Sequence, residues 1–248
     1  MQLFYSKDIS SSGFCTLDAE ESRHAVRVLR MREGDTINVT DGMGHLYQCR
    51  IVQADDRACT VEPILEPAHE DSATHKETFH ETSLHLAVAP TKNPARMEWL
   101  VEKAVEIGVG EITLLQCDHS ERTFLKTDRL ERLALSAMKQ SLHLTLPPIN
   151  PAVTLRDFIT QAFNQTSDKA TKLIAHCEAD KPRTPIAAAL QPGSDAVVLI
   201  GPEGDFSEEE IAMALDAGFQ PVSLGPSRLR TETAALYAIT AFNLINDR

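Results

Sequence analysis

From residue 84 onward the chain alternates short apolar runs with longer amphipathic stretches, and this rhythm leaves few folds open. LHLAVAP (84–90), EITLLQC (111–117), KLIAHC (172–177), DAVVLIG (195–201) and PVSLG (221–225) are strand candidates. KLIAHC and DAVVLIG are apolar at almost every position, so both of their faces need cover. That is the pattern of a parallel sheet flanked by helices. The helices are NPARMEWLVEKAVEIGVG, RLERLALSAMKQSL, SEEEIAMALDAG and TETAALYAITAFNLIND. In the first, Asn93 is a cap, Pro94 fits the opening position and Gly108 the end, with Met97, Leu100, Val101, Ala104 and Ile107 as the buried stripe. The class is α/β with a mainly parallel sheet.

The first 65 or so residues differ. GDTINVTDGMGHLYQCRIV alternates apolar and polar positions around Asp41-Gly42 and Met43-Gly44, a hairpin signal, and ACTVEPIL supplies a further strand. Many short strands with close turns point to a small barrel or sandwich. Residues 67–83 are polar and aperiodic and read as a linker, which divides the chain into a domain over 1–72 and another over 73–248.

Composition excludes several classes. The five cysteines are scattered and form no C-x-x-C pair, so free thiols are expected. His75, His80 and His85 recur at a spacing that matches no ligand pattern, and no metal is expected. No apolar run reaches the roughly 18 residues of a membrane span. MQLFYSKDIS lacks a basic start followed by an apolar stretch, so a cytoplasmic location is expected. A net charge of −12 argues against a general nucleic-acid coat. A local basic surface is another matter: Arg23, Arg27, Arg30 and Arg32 fall within ten residues with no acid between them. They read either as the solvated face of a short helix or as contacts to RNA phosphates.

Residues 199–211, LIGPEGDFSEEEI, place a glycine-containing loop between a strand and a helix and surround it with carboxylates. Ser207 followed by Glu210 is a capping-box pattern, and Glu208 and Glu209 suit the positive end of a helix dipole. GPEGD remains. It matches no dinucleotide or P-loop spacing and contains no Lys or Arg. Like charges about 4 Å apart repel by roughly 4 kcal/mol at an effective dielectric near 20, and half a charge of helix dipole cannot offset several carboxylates facing a triphosphate. A ligand that is neutral or positive near the loop fits better, and S-adenosylmethionine, with its sulfonium and no phosphate, meets that requirement.

SLGPSRLRTETAAL (223–236) is a second Gly-Pro junction, with Thr231 as a helix cap, Arg228 and Arg230 in the loop and Glu232 in the first turn. The two arginines read as surface residues or as part of a site. Successive strands are usually neighbours, so both loops are expected on one edge of the sheet, where α/β proteins bind ligands.

These two segments, in this order and at this distance, resemble the signatures of the RsmE family, 16S ribosomal RNA uridine-N3 methyltransferases of the SPOUT superfamily. HAVRVLRMREGDTINVTDG resembles the family's N-terminal RNA-binding segment, and KNPARMEWLVEKAVEIGV and MKQSLHLTLPPI its central ones. The resemblance implies a PUA-like β-barrel followed by a SPOUT α/β domain with a deep trefoil knot. It implies S-adenosylmethionine as methyl donor, a homodimer, and 16S rRNA within the 30S subunit as substrate. By position the cofactor residues are Ala175, His176, Ile200, Gly201, Glu203, Gly204, Leu224, Gly225, Leu229 and Thr231. Arg230 is expected to stabilise charge on the uracil and Glu232 to act as base or base-orienting group; Arg23, Arg27, Arg30, Arg32 and Arg228 are the expected RNA contacts. Three positions depart from the pattern. Asp205 stands where the family commonly has glycine, Ser227-Arg228 where arginine precedes an aliphatic residue, and Leu142-His143 where many members carry a Gly-Arg pair.

Overall fold

The computed structural model describes residues 2–10, 12–64, 75–76, 82–122, 125–165, 170–178 and 182–246. The chain forms two compact units, Met1–Phe79 with Leu135–Leu146, and His80–Ala134 with Pro147–Arg248.

The first unit is built on one sheet. Its elements are β1 (Leu3–Tyr5), β2 (Cys15–Thr16), α1 (Ala19–Arg23), β3 (Thr36–Thr40), β4 (His45–Gln53), β5 (Thr60–Pro63) and β6 (His75–Lys76). The order is β1-β3-β4-β5-β2, and β6 also pairs with β4. β3 and β4 form the expected hairpin, with Ile37 opposite Cys49 and Val39 opposite Tyr47. The curled sheet resembles a PUA-like barrel and closes over Phe4, Leu17, Val39, Ile51 and Val61, each at most 1% exposed. Of the expected linker, residues 67–74 and 77–81 lie outside the described residues, and His75–Lys76 forms strand pairs instead of a linker.

Asp18 caps α1 by accepting from the backbone N–H of Glu20 and Glu21. The helix then widens into one π-helical turn, His24–Val28, with Leu29 N–H donating to His24 O at 3.0 Å. Arg30 ends it in the left-handed region at φ 58°. Arg23, Arg27, Arg30 and Arg32 are all exposed. Arg27 is not without a counter-charge, because it pairs with Asp56 of the β4–β5 turn; linear spacing hid that acid.

The second unit is a seven-stranded, all-parallel sheet with helices. Its elements are β7 (Leu84–Val88), α2 (Pro94–Ile107), β8 (Glu111–Gln116), the start of α3 (Thr127–Ser141), whose residues from Leu135 onward belong to the first unit, β9 (Ile149–Thr154), α4 (Leu155–Gln165), β10 (Thr171–Ala175), β11 (Thr184–Pro185), α5 (Ile186–Ala189), β12 (Ala196–Ile200), α6 (Glu208–Asp216), β13 (Gln220–Ser223) and α7 (Thr231–Asn246). The order is β11-β13-β10-β12-β7-β8-β9. Every residue of β12 is buried, as its apolar run requires. In α2, Asn93 accepts from Ala95 N–H, Gly108 takes φ 98°, and Met97, Leu100, Val101 and Ala104 are fully buried while Ile107 is half-buried.

Two expectations change. β12 and β13 are not neighbours, because β10 lies between them. All three are parallel, so their C-terminal ends still share one sheet edge. In the second unit four elements, β9, α4, β11 and α5, have no counterpart among the expected strands and helices. Asn150 and Pro151 broke the apolar run of β9, although Thr154 and Asp157 form a readable helix start, with Asp157 N–H donating to Thr154 Oγ1 at 3.1 Å.

Leu142 follows α3 at φ 64° and is 40% exposed. Left-handed backbone costs a side-chain-bearing residue roughly 1–2 kcal/mol, and glycine is the usual residue at this place after a helix. Leu142→Gly is therefore expected to raise stability by about 0.5–1 kcal/mol, the remainder being offset by the greater conformational freedom that glycine gives the unfolded chain. A lowered midpoint in thermal or urea unfolding would refute it.

Candidate active site

The loops after β10, β12 and β13 surround a cavity of about 270 Å³. Of the residues expected at a cofactor, Ala175, Ile200, Gly201, Glu203, Leu229 and Thr231 line it. Arg228 and Arg230 line it too, so both arginines of the second Gly-Pro loop face the same space as the carboxylates of the first. Cys177, Pro202, Asp205 and Ala234 complete the lining; Pro202 and Asp205 belong to the GPEGD loop, whereas no sequence signal singled out Cys177 and Ala234.

The other expected residues are placed differently. His176 is 3% exposed, and its carbonyl accepts from Arg183 Nη1 at 2.5 Å. Gly225, at φ 104°, lines a neighbouring cavity with Arg183 and Tyr237, and Leu224 beside it is half-buried. Gly204 packs against His119: a Cβ there would come within 2.9 Å of His119 Cβ. Glu232 is 7% exposed and does not line the cavity; its Oε1 lies 3.7 Å from Arg96 Nε. Arg23, Arg27, Arg30 and Arg32 belong to the first unit.

Local chemistry explains this arrangement. Thr231 Oγ1 donates to Gly201 O at 3.1 Å and so ties the start of α7 to the first loop. A Cβ on Gly201 would stand 3.1 Å from the Phe206 ring, tighter than ordinary van der Waals contact. Glu203 Oε1 accepts from Lys92 N–H at 2.9 Å.

The acidic run divides into three groups. Ser207 and Glu210 form a reciprocal capping box, and Glu210 Oε1 also accepts from Asp118 N–H at 3.0 Å. Glu208 and Glu209 are exposed in the first turn of α6. Only Glu203 and Asp205 reach the cavity.

Asp205 takes φ 66°. Its Oδ1 accepts from Phe206 N–H at 2.9 Å and its Oδ2 from Cys177 N–H at 2.6 Å. Burial, and then the charge of Asp205, push the Cys177 thiol up, against the pull of Arg228 and Arg183. At neutral pH it is a thiol rather than a nucleophilic thiolate.

The donor set fits a ligand of mixed charge. Two carboxylates and two guanidiniums share the cavity, and the GPEGD loop in its wall matches no phosphate-binding spacing. Among the described residues, no group of three or more His, Cys, Asp or Glu could hold a metal ion, and no helix is long and apolar enough to cross a membrane.

Comparison with known proteins bears on the same segments. The family described as RNA methyltransferase domain matches residues 79–243, and that described as RNA methyltransferase PUA domain matches residues 17–64. A probable rRNA-methyltransferase from Porphyromonas gingivalis is 41% identical, with a TM-score of 0.84 over 99% of this chain and 98% of that one. The ribosomal RNA small subunit methyltransferase E of Neisseria gonorrhoeae, solved bound to S-adenosyl methionine, is 28% identical with a TM-score of 0.77 over 99% and 98% of the two chains. The ribosomal RNA small subunit methyltransferase E of Mycobacterium bovis is 29% identical over 99% of this chain and 92% of its own length. The chain belongs to the RNA methyltransferase family, in the branch of the ribosomal RNA small subunit methyltransferases E.

Proposed function

We propose that this protein transfers a methyl group from S-adenosylmethionine to N3 of one uridine in 16S rRNA, in the 30S subunit and in the cytoplasm, as a homodimer. The observation that carries the reading is the shared cavity: Glu203 and Asp205 from one Gly-Pro loop, Arg228 and Arg230 from the other. A sulfonium is compatible with the carboxylates, and an RNA base losing a proton is compatible with the arginines. The S-adenosyl methionine bound to the relative from Neisseria gonorrhoeae supports the choice of donor.

When bound, S-adenosylmethionine would supply an electrophilic methyl group, to be passed from its sulfur to the ring nitrogen of the base. The protein's task is to hold the flipped base and to let N3 lose its proton. Arg230 donates to a uracil carbonyl oxygen as negative charge develops there. Arg228, on the same loop, binds the RNA backbone. Glu232, buried at the start of α7 beside Arg96, takes up the proton or orients the group that does. Ala175, Ile200, Gly201, Leu229 and Thr231 hold the cofactor.

The test is incubation of the purified protein with methyl-labelled S-adenosylmethionine and, separately, 30S subunits, naked ribosomal RNA and transfer RNA, followed by mapping of the modified base. Label at a uridine N3 in 16S rRNA supports the reading. Label only in transfer RNA, or none, overturns it.

The arginines of the first unit are assigned to RNA phosphates. Arg27→Ala with Arg30→Ala is expected to reduce the slope of log affinity against log salt by about 1 to 2, because each phosphate contact releases close to one counterion. Arg27 already engages Asp56, which places the expectation nearer the lower figure. Cofactor affinity should not change; an unchanged salt slope would remove these residues from the interface.

A further inference from the structure

The clamp made by Asp205 lies in the cavity wall, and the activity proposed above gives it no role. In the parallel ladder between β10 and β12 the last paired residues are Ala175 and Ile200. Beyond them the strands part, and the N–H of Cys177, two residues on, is left to find another acceptor. It donates to Asp205 Oδ2 at 2.6 Å. A side chain thus holds the two strand ends together beyond the point where the backbone ladder stops.

The same residue joins three further groups. Its own N–H donates to Pro202 O at 3.0 Å, which closes the GPEGD turn. Its Oδ1 accepts from Phe206 N–H at 2.9 Å. Its carbonyl accepts from His119 Nδ1 at 3.0 Å, which reaches the loop after β8. Asp205, Cys177 and Ala175 all line the cavity, so the clamp is part of the wall that the ligand would meet. Left-handed backbone is unfavourable for a residue with a side chain unless that side chain bonds locally, and aspartate is one of the few that can. Glycine would accept φ 66° at no cost but would leave the Cys177 N–H without this acceptor.

We propose that Asp205 is a positioning residue: its carboxylate fixes the exit of β10 against the β12–α6 loop and so preorganises the methyl-donor cavity. This rests on the proposed use of S-adenosylmethionine. Asp205→Gly removes the carboxylate and relieves the backbone, Asp205→Ala removes the carboxylate and keeps the strain, and Asp205→Asn keeps one acceptor oxygen.

The experiment measures S-adenosylmethionine affinity by calorimetry, KM and kcat with labelled cofactor, and hydrogen exchange of the Cys177 amide by NMR without cofactor. In Asp205→Gly the Cys177 amide should exchange at least about tenfold faster. Cofactor Kd should rise by about tenfold, with the rise in KM exceeding any fall in kcat by about fivefold or more. Asp205→Ala should match it in Kd, and Asp205→Asn should recover part of the loss. An Asp205→Gly protein that binds cofactor within about twofold of wild type, or whose Cys177 amide exchanges at the wild-type rate, would overturn the proposal. Wild-type protein that takes up no S-adenosylmethionine would overturn the proposed function instead, and the exchange rate alone would then decide the clamp.

Discussion

Arg230→Ala is expected to slow single-turnover methylation of the RNA by about 10²- to 10³-fold, the usual effect of removing a preorganised donor from a developing oxyanion. Arg230 is exposed in the cavity wall and precedes α7, where its carbonyl accepts from Ala234 N–H at 2.8 Å. The backbone there is fixed by the helix start, so truncation removes charge without unwinding the loop. Arg230→Lys should recover only part of the rate, since an ammonium keeps the charge and loses the planar fork. Glu232→Gln gives the companion measurement: loss of the acidic limb of the pH–rate profile, where a carboxylate base would become protonated, assigns Glu232 the proton-transfer role, and an unchanged profile removes it. A rate for Arg230→Ala within about threefold of wild type would exclude the arginine from transition-state stabilisation.

What could be read from the sequence depended on how local the signal was. α2 was legible from end to end, because its cap, its stripe and its terminal glycine are all encoded within 16 consecutive positions from Asn93 to Gly108. β12 was legible because a strand buried on both faces has no polar alternative. The failures are long-range. That β10 inserts between β12 and β13 depends on a pairing between Thr171–Ala175 and Gln220–Ser223 that no local pattern encodes. That Asp56 answers Arg27 across 29 residues is equally invisible to a window of ten. In the site, the two Gly-Pro loops were found by their punctuation, whereas Cys177 entered only because a neighbouring strand ends beside them. Asp205 drew attention as a departure from glycine, but the sequence could not say that its carboxylate has two backbone donors to hold.

The carboxylates of residues 203–210 therefore separate by consequence, and Glu210 gives the sharpest stability test. It is 5% exposed, and its two oxygens accept from different chains of backbone: Oε1 from Asp118 N–H at 3.0 Å, Oε2 from Ser207 N–H at 2.9 Å. The first bond joins α6 to the loop after β8, and the second closes the capping box. Ser207 Oγ adds a bond to Asp118 Oδ2 at 2.6 Å, so three residues share one network. Glu210→Ala leaves two backbone donors without their acceptors, at about 1–3 kcal/mol each where water cannot replace the bond. Partial rehydration at the rim brings the expected loss to about 3 kcal/mol, or roughly 6–12 °C in melting temperature for a chain of this size. Glu210→Gln keeps one acceptor oxygen but turns an amide donor toward the other N–H, so it should still lose about 2 kcal/mol. Glu208→Ala, on the exposed side of the same turn, should lose only the helix-dipole contribution, a few tenths of a kcal/mol. Urea unfolding of the three variants provides the measurement. If Glu210→Ala and Glu208→Ala unfold at the same midpoint, the acidic run is a uniform solvated cap. If only Glu210 is costly, its carboxylate alone in the run joins α6 to the loop after β8, beside the sheet edge where the site is built.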